Sequence, residues 1–230
     1  MVCFSYDFLY NQNMKIILII LTSLIILASC GTQPTVEIPT VSPSSEKTIL
    51  ALGDSLTAGY GLPESDSYPS QLAVRLTGLG YNYSIKNAWV SGDTSAGLLS
   101  RMGWLLEWDI PSLVILCIGG NDAFQGKSVE DIETNIWHII ELLQAKNIPI
   151  LFAGMQAPLN LGWDYGKKYE AIFPRLAKEY NLYYIPFLLE GVALKANLNQ
   201  DDRIHPTKEW YTIVVDNLAK ILEDKKLISK

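Results

Sequence analysis

Two hydrophobic patterns alternate along this chain: short apolar runs, and longer stretches with an apolar residue every three or four positions. The first pattern predicts buried strands and the second predicts amphipathic helices. The predicted strands are Thr48–Leu52, Tyr83–Ala88, Leu113–Ile118, Pro149–Gly154 and Tyr183–Ile185. The predicted helices are Tyr68–Leu79, Ser95–Leu106, Val129–Ala145, Tyr165–Tyr180 and Thr207–Glu223. This alternation predicts an α/β domain with helices on both faces of a parallel sheet of about five strands.

The stretch Val129–Ala145 shows the helical pattern most clearly. Its apolar stripe consists of Ile132, Ile136, Ile139, Ile140 and Leu143. His138 lies off this stripe, on a face shared with acidic and amide side chains. We therefore interpret His138 as a solvated residue of the helix surface.

Composition favours one compact domain. The chain has 230 residues, of which 49% are hydrophobic and 18% charged, which is enough apolar material for a sizeable core. The formal net charge is -6, and no basic run is present that could neutralise phosphates, so nucleic acid is excluded as a partner. We expect a monomer that acts on a small-molecule substrate.

The first thirty residues are interpreted as a targeting signal. Met14-Lys15 precedes an apolar stretch, Ile16 to Leu27, which is shorter than the roughly 20 residues that a membrane-spanning helix needs. Residues 1–30 are therefore a predicted signal peptide, and residues 1–13 are a possible upstream extension that is not translated. The segment ends Leu27-Ala-Ser-Cys30, which resembles the bacterial lipobox. An uncleaved N-terminal anchor is the alternative.

Residues 31–47 are rich in Pro, Ser and Thr and lack periodicity, which predicts an extended tether. By the lipobox resemblance Cys30 is lipidated and Cys3 is removed with the signal peptide, so Cys117 remains alone in a predicted buried strand and no disulfide is expected. These features predict a protein of the bacterial cell envelope, anchored to a membrane through its N-terminal lipid and facing the periplasm or the exterior. The folded domain would span residues 48–230.

Two distant blocks together contain the residue types of a serine-hydrolase triad. Ser55 follows Gly53-Asp54 at the end of the first predicted strand, and Asp202 and His205 lie in one short segment near the other end. A serine hydroxyl needs a neutral imidazole to take its proton and an acid to orient that imidazole. The chain has two histidines, and His205 is the one with a carboxylate three residues upstream.

Two further blocks contain candidate donors for an oxyanion hole. Gly92 and Asn121 each follow a strand-like stretch, so in a parallel sheet both would lie at carboxyl ends, where open α/β folds build their sites. Gly92 allows close approach of its backbone N–H, and Asn121 offers an amide NH2. Ser55 would add its own N–H if a helix begins directly after it. All the blocks would then converge on one crevice.

Each block alone also fits an ordinary turn or helix cap. Asp54 or Ser55 could cap a helix, Asp93 is expected to cap the helix at Ser95, and His205-Pro206 could begin another. Together, however, the blocks provide nucleophile, base, orienting acid and oxyanion donors, which favours catalysis. The sequence lacks the Gly-x-Ser-x-Gly elbow, because position 57 is Thr, and this excludes the α/β-hydrolase fold.

The blocks Gly-Asp-Ser-Leu, Ser-Gly-Asp-Thr-Ser, Gly-Gly-Asn-Asp and Asp-x-x-His-Pro occur in the order of the SGNH, or GDSL, hydrolases. The chain resembles this family, and within it the bacterial thioesterase, lysophospholipase and arylesterase type. The resemblance implies a three-layer α/β/α flavodoxin-like fold with strand order 2-1-3-4-5. It implies the triad Ser55, Asp202 and His205 without metal or cofactor. Arg203 departs from the family, because close relatives often have Gly there.

The sequence defines the substrate less clearly than it defines the candidate catalytic residues. By the resemblance, Phe124, Pro158 and Leu159 lie on loops that shape an acyl pocket, whereas Trp104 and Trp108 are expected in the core. An apolar rim suits a fatty acyl chain, so we expect hydrolysis of carboxylic esters or thioesters, such as acyl esters or lysophospholipids. A carbohydrate or cell-wall O-acetylesterase and a non-catalytic surface lipoprotein are the alternatives.

Overall fold

The computed structural model describes residues 46–107, 110–190, 195 and 198–230. Its strands are β1 (Lys47–Gly53), β2 (Tyr83–Trp89), β3 (Leu113–Cys117), β4 (Ile150–Ala153) and β5 (Tyr183–Ile185). Its helices are α1 (Ser55–Ala58), α2 (Tyr68–Gly78), α3 (Ser95–Leu105), α4 (Gly120–Phe124), α5 (Val129–Gln144), α6 (Trp163–Glu179) and α7 (Lys208–Asp224). The predicted signal peptide, Cys30 and nearly all of the predicted tether lie outside the described residues, so these remain predictions.

The strands form one parallel sheet in the order β2-β1-β3-β4-β5. This confirms the predicted flavodoxin-like order. The chain leaves β1 for the edge strand β2 and then crosses back to β3 on the other side of β1, so the direction of winding reverses between β1 and β3. In open α/β folds a ligand site lies at the carboxyl ends of the strands beside this reversal.

Two groups of helices complete the predicted three-layer arrangement. Helices α2 and α7 pack against each other, and α3 and α6 both pack against α5. The apolar stripe predicted for α5 is fully buried, which confirms the helical pattern there. No helix in the described ranges is long and apolar enough to cross a membrane.

The prediction that Trp104 lies in the core was wrong. Its side chain is 70% exposed, whereas Leu98 and Met102 of the same helix are completely buried. Because a helix turns about 100° per residue, a residue two positions after Met102 faces away from the buried side. Trp108, which was expected in the core as well, lies outside the described residues.

Gly53 allows the chain to turn tightly from β1 into α1. A Cβ atom at this position would lie 2.1 Å from the Thr57 Oγ1 and 2.6 Å from the backbone oxygen of Cys117. Both approaches are far too short for any side chain, so helix α1 can fold back over the strand end only because residue 53 is glycine. The next two residues, Asp54 and Ser55, thereby reach the edge of the sheet beside the reversal.

Candidate active site

Ser55 is the first residue of α1 and follows the last strand residue by two positions. Asp54 is the N-cap, and its Oδ1 accepts a hydrogen bond of 3.0 Å from the Leu56 N–H. Because the first N–H groups of a helix lack intrahelical acceptors, the Ser55 N–H is left pointing out of the helix start. No described residue accepts it. Capping and candidate chemistry thus coexist at this turn.

His205 joins Ser55 to Asp202 through both ring nitrogens. The Nε2 atom lies 2.8 Å from the Ser55 Oγ, and the Nδ1 atom lies 2.6 Å from the Asp202 Oδ2. A carboxylate can only accept, so Nδ1–H donates to Asp202 and Nε2 is free to accept from the serine hydroxyl. The structure therefore brings together the three residues that the sequence predicted as a triad.

The Asp202 carboxylate also organises the turn that presents His205. Its Oδ1 accepts from the backbone N–H groups of Ile204 and His205, each at 2.9 Å. Desolvation of this carboxyl raises its pKa, but the backbone and ring N–H groups of His205 and the Ile204 N–H outweigh it and lower the pKa to about 2. Asp202 is therefore a carboxylate at neutral and at mildly acidic pH.

Two residues that the sequence analysis missed hold the histidine in place. The ring of Tyr60 lies against the His205 ring, with centroids 4.6 Å apart. Gln200 donates from Nε2 to the backbone oxygens of Tyr60 at 2.7 Å and of Pro206 at 2.9 Å, which ties the His205 turn to the segment after α1. Neither residue lies in a recognisable motif, because both act through contacts between distant parts of the chain.

Asn121 lies in α4, just beyond the end of β3, and its amide is already engaged. The Nδ2 atom donates to the Asp54 Oδ2 at 3.1 Å and to the backbone oxygen of Asp93 at 2.9 Å. These two bonds use both amide hydrogens. A substrate oxygen can receive a hydrogen bond from Asn121 only by sharing or displacing one of these acceptors.

Gly92 lies in the loop after β2 in a left-handed conformation, with φ of +79°. Its N–H has no acceptor among the residues that the structure describes, and a Cβ would meet nothing within 4 Å. The loop is linked to the rest of the site because the neighbouring Asp93 accepts from Asn121 through its backbone oxygen. Gly92 is thus a free donor at the same edge of the sheet, although it does not line the groove described below.

The expected cap at Asp93 was wrong. Thr94 caps α3, accepting from the Gly97 N–H at 3.2 Å. The Asp93 carboxylate instead accepts from Arg101 at 2.9 Å, and Arg101 also donates to the backbone oxygen of Ala88. A charged partner about two helical turns further along the chain competes better for the carboxylate than a backbone N–H does. This ion pair fixes the loop that contains Gly92.

His138 takes no part in this arrangement. It lies on α5, half-buried, with its ring stacked on Trp137 at a centroid distance of 4.6 Å. His205, and not His138, is the histidine that bonds Ser55.

A groove of about 520 Å³ opens beside Ser55 and His205. Phe124 and Pro158 line it, as the sequence predicted; Leu159 begins a 3₁₀ turn, and its side chain lies outside the described part of the structure. Met155 also lines the groove. The sequence analysis missed other lining residues, which are Gln156, Phe187, Leu189, Ile204 and Asn199. Much of the wall is apolar, so the groove can accept a hydrocarbon chain next to the serine.

Asp54 is nearly inaccessible to solvent and yet titratable. Burial raises its pKa from the ordinary value of 3.8 to about 6, against the lowering effects of the Leu56 N–H and of His205, with Asp93 adding to the rise. A pKa that is higher in the folded than in the unfolded protein means that the folded state binds the proton more tightly. The stabilisation is complete below about pH 4 and is lost as the pH rises through 6.

We predict that Asp54→Asn removes this pH dependence. The difference in unfolding free energy, variant minus parent, should increase by up to about 2 to 3 kcal/mol between pH 4 and pH 7, because about 1.4 kcal/mol corresponds to each pKa unit. Urea unfolding of both proteins at pH 4, 5, 6 and 7 measures it. Asp202 is present in both proteins, so its titration cancels in the difference between their unfolding free energies. A difference that stays constant with pH would show that Asp54 titrates normally in the folded state.

Comparison with known proteins places these features in a family. The model of the GDSL-like lipase/acylhydrolase family matches residues 51–213. The chain is 35% identical over 184 residues to "Thioesterase 1/protease 1/lysophospholipase L1" of Escherichia coli, which covers 80% of this chain and 87% of that protein. It is 35% identical over 180 residues to "Esterase TesA" of Pseudomonas aeruginosa, covering 78% of this chain and 90% of that one.

Solved structures agree with this result. The crystal structure of TesA has 34% identity and a TM-score of 0.74, and it covers 79% of this chain and all (100%) of that one. AlinE4, described as an SGNH-hydrolase family esterase, has 42% identity and a TM-score of 0.66, with 78% of this chain and 96% of that chain covered. The chain therefore belongs to the GDSL-like lipase/acylhydrolase family and is an ester hydrolase.

Proposed function

We propose that Ser55 is the nucleophile of this hydrolase, that His205 is its general base and that Asp202 orients and stabilises His205. The observation that carries the proposal is the unbroken chain of two hydrogen bonds, 2.8 and 2.6 Å long, from the Ser55 Oγ through the His205 ring to the Asp202 carboxylate. An Asp202 pKa of about 2 keeps this carboxylate ionised wherever a neutral imidazole is available as a base.

The reaction follows from this geometry. As the Ser55 Oγ attacks the ester carbonyl carbon, the hydroxyl proton moves to the His205 Nε2 and the carbonyl oxygen becomes negative. His205 then gives the proton to the leaving oxygen or sulfur, the bond to the leaving group breaks, and an acyl group remains on Ser55. Water attacks the acyl-enzyme by the same route and releases the acid.

The oxyanion is stabilised by three donors in this proposal: the backbone N–H groups of Ser55 and Gly92 and the side chain of Asn121. Support comes from the two backbone N–H groups, which have no acceptor in the described part of the chain. Asn121 contributes when its amide turns one hydrogen from Asp54 or Asp93 toward the substrate oxygen. The buried Asp54 thus positions Asn121 until substrate arrives.

The proposed substrates are acyl esters, including thioesters and lysophospholipids. The apolar walls formed by Phe124, Met155 and Phe187 favour an alkyl chain. The relatives' names, which include thioesterase, lysophospholipase and arylesterase, are consistent with such substrates. A carbohydrate or cell-wall O-acetylesterase is the alternative. A non-catalytic lipoprotein is disfavoured, because a binding protein has no need of an assembled triad.

We also propose that the mature protein is a lipoprotein of the bacterial cell envelope. The apolar stretch of residues 16–27 stops directly before the lipobox-like Leu27-Ala-Ser-Cys30, and a Pro- and Ser-rich segment follows. A diacylated Cys30 with an amide-linked third chain would hold the domain at a membrane, because more than one lipid chain is needed for stable anchoring. The folded domain would then face the periplasm or the exterior.

The triad assignment predicts unequal effects of three substitutions on hydrolysis of a p-nitrophenyl ester. Ser55→Ala and His205→Ala should each lower kcat by roughly 10⁴-fold or more, because each removes a member of a unit that acts jointly. His138→Ala should remain close to the parent and serves as the control. Steady-state kinetics and circular dichroism of all the variants provide the test. Equal losses in the folded His138 and His205 variants would reject His205 as the base.

The groove predicts how the rate depends on acyl chain length. Each methylene buried in the groove contributes up to about 0.8 kcal/mol, so kcat/KM should rise by up to about fourfold per methylene and then level off. Esters from acetyl to lauroyl, with one common leaving group, measure this dependence. A maximum at acetyl, together with activity on an acetylated glycan, would instead support the O-acetylesterase alternative and leave the triad untouched.

The lipoprotein proposal predicts a modified amino terminus. Full-length protein expressed in a bacterium and extracted from membranes should partition into detergent and begin at Cys30 with a lipid adduct on its N-terminal peptide. Mass spectrometry measures both, and Cys30→Ala should abolish the adduct. Detection of an unmodified terminus at Met1 or Met14 would support an uncleaved anchor.

A further inference from the structure

Among the described residues that line the groove beside Ser55, Arg203 is the one with a permanently cationic side chain. It stands in the turn between Asp202 and His205, and its side chain is exposed. No residue in the described part of the chain forms an ion pair with it. The nearest carboxylate in sequence, Asp202, is occupied by the His205 ring and by two backbone N–H groups.

The backbone at this position does not favour an arginine. Arg203 has a φ of +60°, a left-handed conformation that glycine adopts freely and that side chains disfavour. Its N–H is held by the backbone oxygen of Gln200 at 2.9 Å, so the turn cannot easily relax. In the described part of the structure, the Arg203 side chain forms no ion pair that would stabilise the fold. We therefore consider a role for this side chain in the groove.

The mechanism determines which part of a substrate lies near Arg203. His205 must deliver its proton to the leaving oxygen or sulfur, so the leaving group lies on the side of the His205 turn. Other lining residues come from segments distant in sequence from the His205 turn; among them Phe124, Met155 and Pro158 are apolar and suit the acyl chain. The apolar wall fits the acyl chain of an ester, and the cation lies beside the leaving group. Together they fit an amphiphilic ester whose alcohol or thiol part is anionic.

The overall charge makes this local cation more significant. The chain has a formal net charge of -6, with 24 acidic against 18 basic residues, so its general field repels anions. A guanidinium at the groove opposes this repulsion close to the scissile bond. Its planar fork can bind a carboxylate or a phosphate with two parallel hydrogen bonds.

We propose that Arg203 determines specificity by selecting esters whose leaving group bears an anionic oxygen group, a carboxylate or a phosphate. The proposal rests on the proposed function, since the side on which the leaving group lies follows from His205 acting as the acid. Arg203 acts on binding of the leaving group and has no role in the proton transfers.

The test compares two substrates that differ in charge at the leaving group. They are 4-(butyryloxy)benzoate, which is anionic, and its methyl ester, which is neutral; 4-(butyryloxy)phenyl phosphate forms a third arm that distinguishes phosphate from carboxylate. The quantity is the ratio of kcat/KM for the anionic ester to that for the neutral ester. Comparing this ratio between proteins cancels the different intrinsic reactivities of the esters.

In Arg203→Gln and Arg203→Gly the ratio should fall roughly five- to tenfold, the scale of one charge-assisted contact that is partly open to solvent. Arg203→Lys should retain part of the preference, and added salt should reduce the difference in the ratio between the parent protein and Arg203→Gln. Arg203→Gly relieves the left-handed backbone and should not be less stable than the parent, which separates selectivity from unfolding. The phosphate arm should show an equal or larger fall than the carboxylate arm if phosphate is the preferred anion.

Arg75→Gln is the matched control, because Arg75 lies on α2, far along the chain from the groove, and pairs with Asp216. Its ratio should equal that of the parent. An unchanged ratio in Arg203→Gln, or an equal fall in Arg75→Gln, would overturn the proposal. If Ser55→Ala retained hydrolysis, the proposed function itself would fail, whereas loss of activity in Ser55→Ala with an unchanged ratio in Arg203→Gln would reject the role of Arg203 alone.

Discussion

The buried carboxylate of Asp54 joins the ends of the two central strands. One of its oxygens caps the helix that begins with Ser55, and the other accepts from Asn121, which follows β3. A buried carboxylate is tolerated only where its oxygens are bonded, so these contacts define the relative positions of Ser55 and Asn121, the proposed nucleophile and oxyanion donor. Gly53 makes the arrangement sterically possible, because any Cβ there would overlap Thr57 and the end of β3.

His205, the proposed general base, reaches this centre from the far end of the chain. The Asp202 turn is local: one carboxylate binds two nearby N–H groups and the His205 ring, so little chain entropy opposes its formation. The attachment of this turn to α1, in contrast, depends on tertiary contacts. Gln200 binds the segment after α1, and the Tyr211 hydroxyl of α7 donates to the Leu56 backbone oxygen at 2.7 Å, which together hold the His205 turn and α1 in one unit.

The strand and helix periods of the sequence were sufficient to predict the five strands and the long helices. The strands β1, β3 and β4 are almost entirely buried, whereas the edge strands β2 and β5 are only partly buried. The positions of Ser55 and Asn121 at one edge could be anticipated, because strand ends in a parallel sheet meet there, whereas His205 follows no strand directly and was identified by its residue type and by Asp202 three positions upstream. The positions of Trp104 and Asp93 were predicted wrongly: one depends on which side of α3 faces the sheet, and the other on competition from Arg101. Contacts between distant segments, such as those of Gln200 and of the occupied Asn121 amide, leave no local pattern in a sequence.

In the proposed mechanism this hydrolase works through an acyl group on Ser55. The most direct measurement is reaction with a fluorophosphonate ester, which reacts with an activated serine, followed by peptide mapping by mass spectrometry. We predict one adduct per chain, located on Ser55, and no adduct when His205 is replaced by Ala or when the protein is unfolded before the reagent is added. An adduct on another residue, or labelling that does not depend on His205, would contradict the account.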